Sequence, residues 1–288
     1  MRQQARASGF VVSLVRNQVC VTRKRGMSSW YLNPEYCAGD VAACFRDLDA
    51  VFALEGEVVS RDPLCRVLRV SIQGRCYYVK LYVGNGKSLV RQWFGLRGLL
   101  APQRVVREAR NFLFFREQGV PTATVVAYGL ERSFGRFVRG ALVTEEVPNT
   151  RDLAKTVREH PEYLKDKPWF DAVSKQVAET TRRLHDAGFA HNDLKWRNLL
   201  VNDEQPPRIY LIDCPFGNHW WHVFLQYRIV KDLASLDREA KKNLSRTQRL
   251  RFYLAYAQST RLDTDDKRRI RRIAGFYDGR RLRHRFRR

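Results

Sequence analysis

The sequence predicts an α+β fold, with a small antiparallel sheet in the first half and mainly helices in the second. Three observations carry this expectation. Apolar runs from Val51 to Leu81 are cut by turn residues at Arg61-Asp62-Pro63 and Gln73-Gly74-Arg75, the pattern of successive strands. Pro102 to Gln118 and Asp171 to Ala187 carry apolar residues at helical spacing. Leu199-Leu200-Val201 and Ile209 to Ile212 form a hairpin pattern around Pro206-Pro207, followed by further helical segments. A chain of 288 residues is long enough for two lobes and a buried core.

Residues 1–50 are expected to be an N-terminal extension, partly disordered. Met1 to Arg25 is basic and without period, and Met27 offers a second start site. Asp40 to Leu48 has apolar residues at helical spacing, which predicts a short helix. Three antiparallel strands follow, over Phe52 to Val59, Val67 to Ile72 and Tyr77 to Leu81, the last carrying Lys80 near its end. Gly84-Asn85-Gly86-Lys87-Ser88 lacks the glycine a P-loop needs at position 81, which is Leu81, and reads as a basic turn.

The helix from Pro102 has its apolar stripe at Val105, Val106, Ala109, Phe112 and Leu113, and Gly119-Val120-Pro121 stops it. Thr124 to Tyr128 and Ala141 to Thr144 read as two more strands. A helix from Asp152 to Val157 is expected to be capped by Thr150. Gly188 ends the long helix from Asp171. Trp220-Trp221 and Phe224-Leu225 suggest core or a substrate wall, and Lys231 to Leu236 and Gln248 to Gln258 suggest helices. The last 22 residues, Lys267 to Arg288, hold eleven Lys or Arg and one acid, Asp278. Their spacing fits a basic helix on an anionic surface or a solvated tail.

The formal charge is +23, from 53 basic and 30 acidic residues. That balance points to nucleic acid, an anionic membrane surface or a polyanionic substrate as partner. The six cysteines (Cys20, Cys37, Cys44, Cys65, Cys76 and Cys214) form no CxxC pair, so reduced thiols are expected. No apolar run reaches the length of a membrane span, and a cytoplasmic protein is expected.

The stretch His191-Asn192-Asp193-Leu194-Lys195-Trp196-Arg197-Asn198 concentrates the chemistry. Phosphoryl transfer from ATP needs a carboxylate to orient the attacking hydroxyl, a carboxylate and an amide to hold Mg²⁺, and a cation near the moving phosphoryl group. Asp193, Asp213, Asn198 and Lys195 are residues of those types. A solvated polar loop would share any one of them, but not the set at this spacing.

The stretch resembles the kinase catalytic loop H-R-D-L-x-x-x-N at His191, Asp193, Leu194 and Asn198, with Asn192 in place of Arg. With V-K at Lys80, R-E-A-R around Glu108, the break at Gly119-Val120-Pro121 and I-D at Ile212-Asp213, the chain most resembles the bacterial lipopolysaccharide kinase family. That family includes the core heptose kinases and the Kdo kinases. The resemblance runs from about Val51 to Gln258. It implies a two-lobed protein-kinase-like fold, with an N-lobe at 51–147, a C-lobe at 148–266 and a basic tail at 267–288.

The resemblance also implies transfer of the γ-phosphate of Mg-ATP to a sugar hydroxyl of the lipopolysaccharide inner core. Asp193 would be the catalytic acid-base residue and Lys195 would lie near the γ-phosphate. Asn198 and Asp213 would hold Mg²⁺. Lys80 would hold the α- and β-phosphates, with Glu108 (or Glu117, at the helix end) pairing it. Backbone groups at Glu146 and Val147 would meet the adenine. The acceptor would be a core glycolipid, with the anionic inner-membrane surface a further partner for the tail and no nucleic acid expected.

Two departures from the kinase pattern stand out. The first hairpin has only Gly56 in place of a glycine-rich loop, so the N–H groups of its turn, or Ser60 and Arg61, would cover the phosphates. Asp213 is followed by Cys214-Pro215 rather than Phe-Gly. A kinase-like phosphotransferase acting on protein or another small molecule would share these residues. A basic nucleic-acid-binding protein without catalysis would explain the charge but not the Asp193, Asn198 and Asp213 set.

Overall fold

A computed structural model describes residues 28–84 and 104–278, together with the backbone of 6–7, 10–15 and 18–23. The second start site at Met27, the basic turn beyond Gly84 and the end of the basic tail from residue 279 lie outside the described residues. The chain divides into two compact units. One comprises Met1–Leu113 and Ala123–Glu146, the other Phe114–Thr122 and Val147–Arg288.

The first unit begins with strands β1 (Arg6–Ala7), β2 (Phe10–Val15) and β3 (Gln18–Arg23), a small antiparallel sheet. Its main sheet has six strands, all paired antiparallel: β4 (Ser28–Leu32), β5 (Glu57–Asp62), β6 (Cys65–Ile72), β7 (Arg75–Val83), β8 (Val125–Ser133) and β9 (Arg136–Glu145). Their order across the sheet is β4-β8-β9-β7-β6-β5.

Two hairpins use the same device. Gln73-Gly74 and Phe134-Gly135 are two-residue loops with both residues at positive φ, which matches the twist of the strands they join. The expected strands at Val67–Ile72 and Tyr77–Leu81 lie within β6 and β7.

Residues expected in the N-terminal extension contribute to this unit's core. Trp30, Tyr36, Phe45 and Leu48 are buried against Leu68, Val70, Tyr77, Val79 and Val143 of the sheet. Trp30 also donates from Nε1 to the Phe45 carbonyl at 2.8 Å. Gly129 of β8 permits the pairing with β4, because a Cβ there would lie 2.2 Å from the Ser29 oxygen.

The single helix expected over Asp40–Leu48 is two, α1 (Gly39–Cys44) and α2 (Leu48–Phe52). Asp47 breaks the run by capping α2, accepting the Ala50 N–H at 2.9 Å. Helix α3 (Arg104–Glu117) follows, and Gly119 at φ +64 ends it.

The second unit is mainly helical. Strand β10 (Thr150–Asp152) leads into α4 (Leu153–Glu159). The cap of α4 is Asp152, whose carboxylate accepts the Lys155 N–H at 2.8 Å, and not Thr150 as expected. Thr150 instead donates its hydroxyl to the Val147 carbonyl at 2.7 Å, because it lies two residues too early to reach the first turn.

Helix α5 (Lys167–Asp186) begins four residues before the expected start and ends at Gly188, φ +72. Strands β11 (Phe189–Ala190), β12 (Leu199–Asn202), β13 (Ile209–Leu211) and β14 (Asn218–His219) follow. They make two small sheets, β10-β12-β13 and β11-β14. Three helices close the described chain: α6 (His222–Asn243), α7 (Arg246–Ala257) and α8 (Thr264–Gly275). Trp169, Phe170, Phe189, Leu194, Leu199 and Leu211 are among the buried residues that hold this unit together.

Candidate active site

In the second unit, the loop between β11 and β12 and the residue after β13 are brought together by the β12–β13 pairing. Leu199 faces Leu211 in that register, and the Ile212 N–H donates to the Asn198 carbonyl at 2.9 Å. Asp213 follows at φ +58, a left-handed conformation that is uncommon outside glycine.

The loop is tied inward at several points. Asn198 is buried and donates its amide to the Asp193 carbonyl at 2.8 Å, fixing the five-residue spacing as a closed turn. Trp196–Asn198 forms a 3-10 turn, closed by the Asn198 N–H on the Lys195 carbonyl at 2.9 Å. Lys195 Nζ lies 2.5 Å from Asp193 Oδ1, and Arg197 lies 3.8 Å from Asp193 Oδ2. The Asp193 carboxylate remains partly exposed.

Asp232, from α6, anchors the same loop and was not singled out by the sequence reading. It is fully buried, and its two oxygens accept the N–H groups of His191 at 2.7 Å and Asn192 at 2.8 Å. Lys231 donates to the Asn192 carbonyl at 2.8 Å, and Arg228 to its side-chain oxygen at 3.2 Å. Asn192 takes φ +66, which asparagine tolerates better than most residues. A lone Asp within a helical pattern reads as solvated, so no local signal marked it.

His191 is buried and stacked on the Phe115 ring, 6.1 Å between centroids. Burial lowers its pKa below the usual 6.5, against the pull of Asp232, Asp213 and Asp193. The unfolded chain therefore takes up a proton near pH 6.5, and the folded chain only at lower pH. Stability is full above that range and falls as pH drops through it. The expected result is a lower melting temperature at pH 5.5 than at pH 7.5, with a smaller pH difference in His191→Phe; an unchanged difference would rule His191 out as its source.

In the first unit, Lys80 of β7 and Glu108 of α3 form an ion pair at 2.6 Å. Glu108 is fully buried, and its second oxygen accepts the Tyr82 hydroxyl at 2.6 Å. Tyr82 lies two residues after Lys80 on the same strand face, so one strand supplies both partners. Tyr82→Phe would leave a buried carboxylate oxygen without that donor, a loss of about 1–3 kcal/mol in stability. A several-fold rise in KM for ATP should accompany it, measured by coupled ATPase assay beside thermal melts.

Glu146 is held by Arg69 in a two-pronged contact, the shortest arm 2.8 Å, and by the Tyr78 hydroxyl at 3.1 Å. Arg69 keeps its carboxyl below the usual range. The Glu146 N–H donates to the Cys76 carbonyl at 2.9 Å. The side chain and N–H of Glu146 are thus engaged within its own unit, and Val147 offers its carbonyl to Thr150.

At the tip of the β5–β6 hairpin, the Leu64 and Cys65 N–H groups donate to Asp62 at 2.8 and 2.9 Å. Those two groups, which follow the Ser60 to Pro63 turn, are therefore engaged at the hairpin tip itself.

A family model described as the lipopolysaccharide kinase (Kdo/WaaP) family matches residues 49–256. The chain belongs to this family. It is a phosphotransferase with a lipopolysaccharide core sugar hydroxyl as acceptor, and its fold is protein-kinase-like.

Among its relatives is the lipopolysaccharide core heptose(I) kinase WaaP of Pseudomonas aeruginosa. It is 30% identical over 222 residues, covering 72% of this chain and 79% of that protein. A 3-deoxy-D-manno-octulosonic acid kinase of Vibrio cholerae is 29% identical over 98 residues, covering 34% of this chain and 37% of that protein. A solved structure, WaaP in complex with acyl carrier protein, aligns with a TM-score of 0.58 at 26% identity, covering 82% of this chain and 90% of the other. No described helix of this lipopolysaccharide kinase family member is long and apolar enough to cross a membrane.

Proposed function

We propose that this chain transfers the γ-phosphate of ATP to a heptose hydroxyl of the lipopolysaccharide inner core. The observation that carries the chemistry is Asp193, held by Asn198 and paired with Lys195 on a loop anchored to Asp232. Asp193 orients the acceptor hydroxyl and takes its proton. Lys195 stabilises charge on the moving phosphoryl group. Lys80, fixed by Glu108 and Tyr82, holds the α- and β-phosphates. Backbone groups around Glu146 and Val147 meet the adenine. Heptose is favoured over Kdo because the match spans most of the heptose(I) kinase and about a third of the Kdo kinase.

The residues present fit a magnesium ion. Asn198 and Asp213 offer an amide oxygen and a carboxylate, hard ligands of the kind Mg²⁺ takes alongside phosphate oxygens and water. Such an ion neutralises charge on the nucleotide phosphates during transfer. Mass spectrometry of lipopolysaccharide core incubated with the protein and Mg-ATP tests this function. A gain of one phosphate on heptose, absent with Asp193→Asn, is expected; phosphate on Kdo, or none, overturns the assignment.

A second partner has its own observation. The second unit contains an apolar cavity of about 330 Å³, lined by residues including Leu153, Val157, Phe170, Val177, Leu236 and Ile273. Its size and apolar lining are those of a small-molecule pocket. With WaaP solved as a complex with acyl carrier protein, we extend that partner to this chain, with the acyl group in the cavity. Native mass spectrometry should find a complex with acylated carrier protein and a weaker one with the unacylated form. The basic tail from Lys267 is proposed to favour an anionic membrane surface.

A further inference from the structure

The stretch between Asp213 and Asp232 contains no acidic residue. Its Trp220-Trp221 and Phe224-Leu225 pairs were expected to be core or a substrate wall. Trp221, Val223 and Phe224 are 81%, 75% and 67% exposed, so they are not core, with Phe216 and Tyr227 also open to solvent. They gather at the start of α6, whose later turns are buried from Ile229 onward. Single exposed apolar residues are ordinary, but a cluster of this size in one short stretch marks an interaction surface.

Its surroundings are cationic. Arg228 lies over the Trp220 ring at 4.2 Å and over the Tyr227 ring at 5.7 Å. Tyr227 packs on Phe276 and shares a groove with Arg271 and Arg272 of α8. Aromatic and aliphatic side chains projecting from one end of a helix, in a stretch without acids and beside the arginines of α8, suit the headgroup region of an anionic bilayer. The apolar side chains project rather than line a groove, and Val223 has no ring on which a base could stack, which favours lipid over nucleic acid.

We infer that Trp221, Val223 and Phe224 insert into the interface of an anionic phospholipid membrane, with Arg271 and Arg272 on its headgroups. The inference rests on the glycolipid kinase reading for its purpose. The patch follows Asp213 closely in sequence, so docking here holds the catalytic loop near a membrane-borne acceptor.

The test uses the full chain and vesicles of phosphatidylethanolamine with phosphatidylglycerol. Wild type should sediment with these vesicles and not with phosphatidylcholine alone. Trp221→Ser with Phe224→Ser should weaken sedimentation by at least about tenfold. The double variant should keep wild-type turnover of lipid-free core oligosaccharide.

Trp221→Phe should still sediment, yet lose most of the fluorescence quenching by brominated-chain lipid that wild type shows. Unchanged sedimentation of the double variant would overturn the inference and assign binding to the basic residues alone. A raised KM for lipid-free oligosaccharide would make the patch a substrate wall, and binding to RNA with none to vesicles would make it a nucleic-acid surface. Failure of wild type to phosphorylate any core sugar would sink the kinase reading while leaving the vesicle result to stand separately.

Discussion

Replacing Asp193 by Asn should lower kcat by about 10²–10⁴-fold while leaving KM for ATP within a few-fold of wild type. The substitution keeps the size of the side chain and leaves the Asp193 carbonyl, which accepts from Asn198, untouched. It removes the proton acceptor and the negative partner of Lys195 and Arg197. Because those contacts are partly exposed, the fold should lose little, and melting temperatures should agree within a few degrees. Steady-state kinetics with core oligosaccharide and ATP, each varied in turn, would decide it. A variant that keeps full kcat would mean that another group takes the acceptor's proton. A rise confined to KM for ATP would move Asp193 from the chemistry to nucleotide binding.

The second large effect is expected from Asp232→Ala. Two backbone N–H groups of the catalytic loop would lose their acceptors inside the protein, at about 1–3 kcal/mol each. The loss should therefore reach roughly 3–5 kcal/mol, in the range seen when a buried charged partner is removed. Asp232→Asn should recover only part of it, because an amide has one oxygen for two N–H groups that approach separate atoms.

Catalysis should fall with either variant even when assayed well below its melting temperature. His191 and Asn192 lead directly into Asp193, and the left-handed turn at Asn192 would no longer be fixed. Thermal melts and kinetics on the same preparations give the two readouts. Normal stability with normal kcat would show that the loop holds its shape without Asp232. Lost stability with normal kcat would make Asp232 a folding residue alone.

Much of the candidate site was legible because its parts follow one another in the chain. His191 to Asn198 lies within eight residues, and Asp213 comes at the end of a short apolar strand. Lys80 and Glu108 could be paired across 28 residues because each stood at a recognisable place on a strand or helix. Asp232 and Tyr82 were missed for the opposite reason. Asp232 lies 40 residues from the Asn192 N–H it accepts, inside a helix pattern in which a single acid looks like part of a solvated face. Tyr82 reads as an ordinary strand residue until Glu108 is found beside it.

The fold divides in the same way. Strands β6 and β7 and the long helix α5 announced themselves by period, since each buries one face against its unit. Strand β4 did not. It is five residues long, and its partner β8 lies about a hundred residues further on, so nothing nearby in the sequence marks the pairing. Trp221 and Phe224 read as core or a substrate wall, and their exposure sets aside core, since an aromatic run looks the same in sequence whether or not anything covers it.

By itself, the sequence determined which groups are candidates for the chemistry, their order and their spacing, because the loop is short and its residue types are those that proton transfer and phosphate charge call for. Only the tertiary structure decided how those groups are held: the burial that lowers the His191 pKa, the Asp232 carboxylate under the loop, and the Tyr82 hydroxyl on Glu108. Those bonds join segments far apart in the chain, where desolvation makes each unpaired donor costly, and a local pattern of residues carries no trace of which distant partner will meet it.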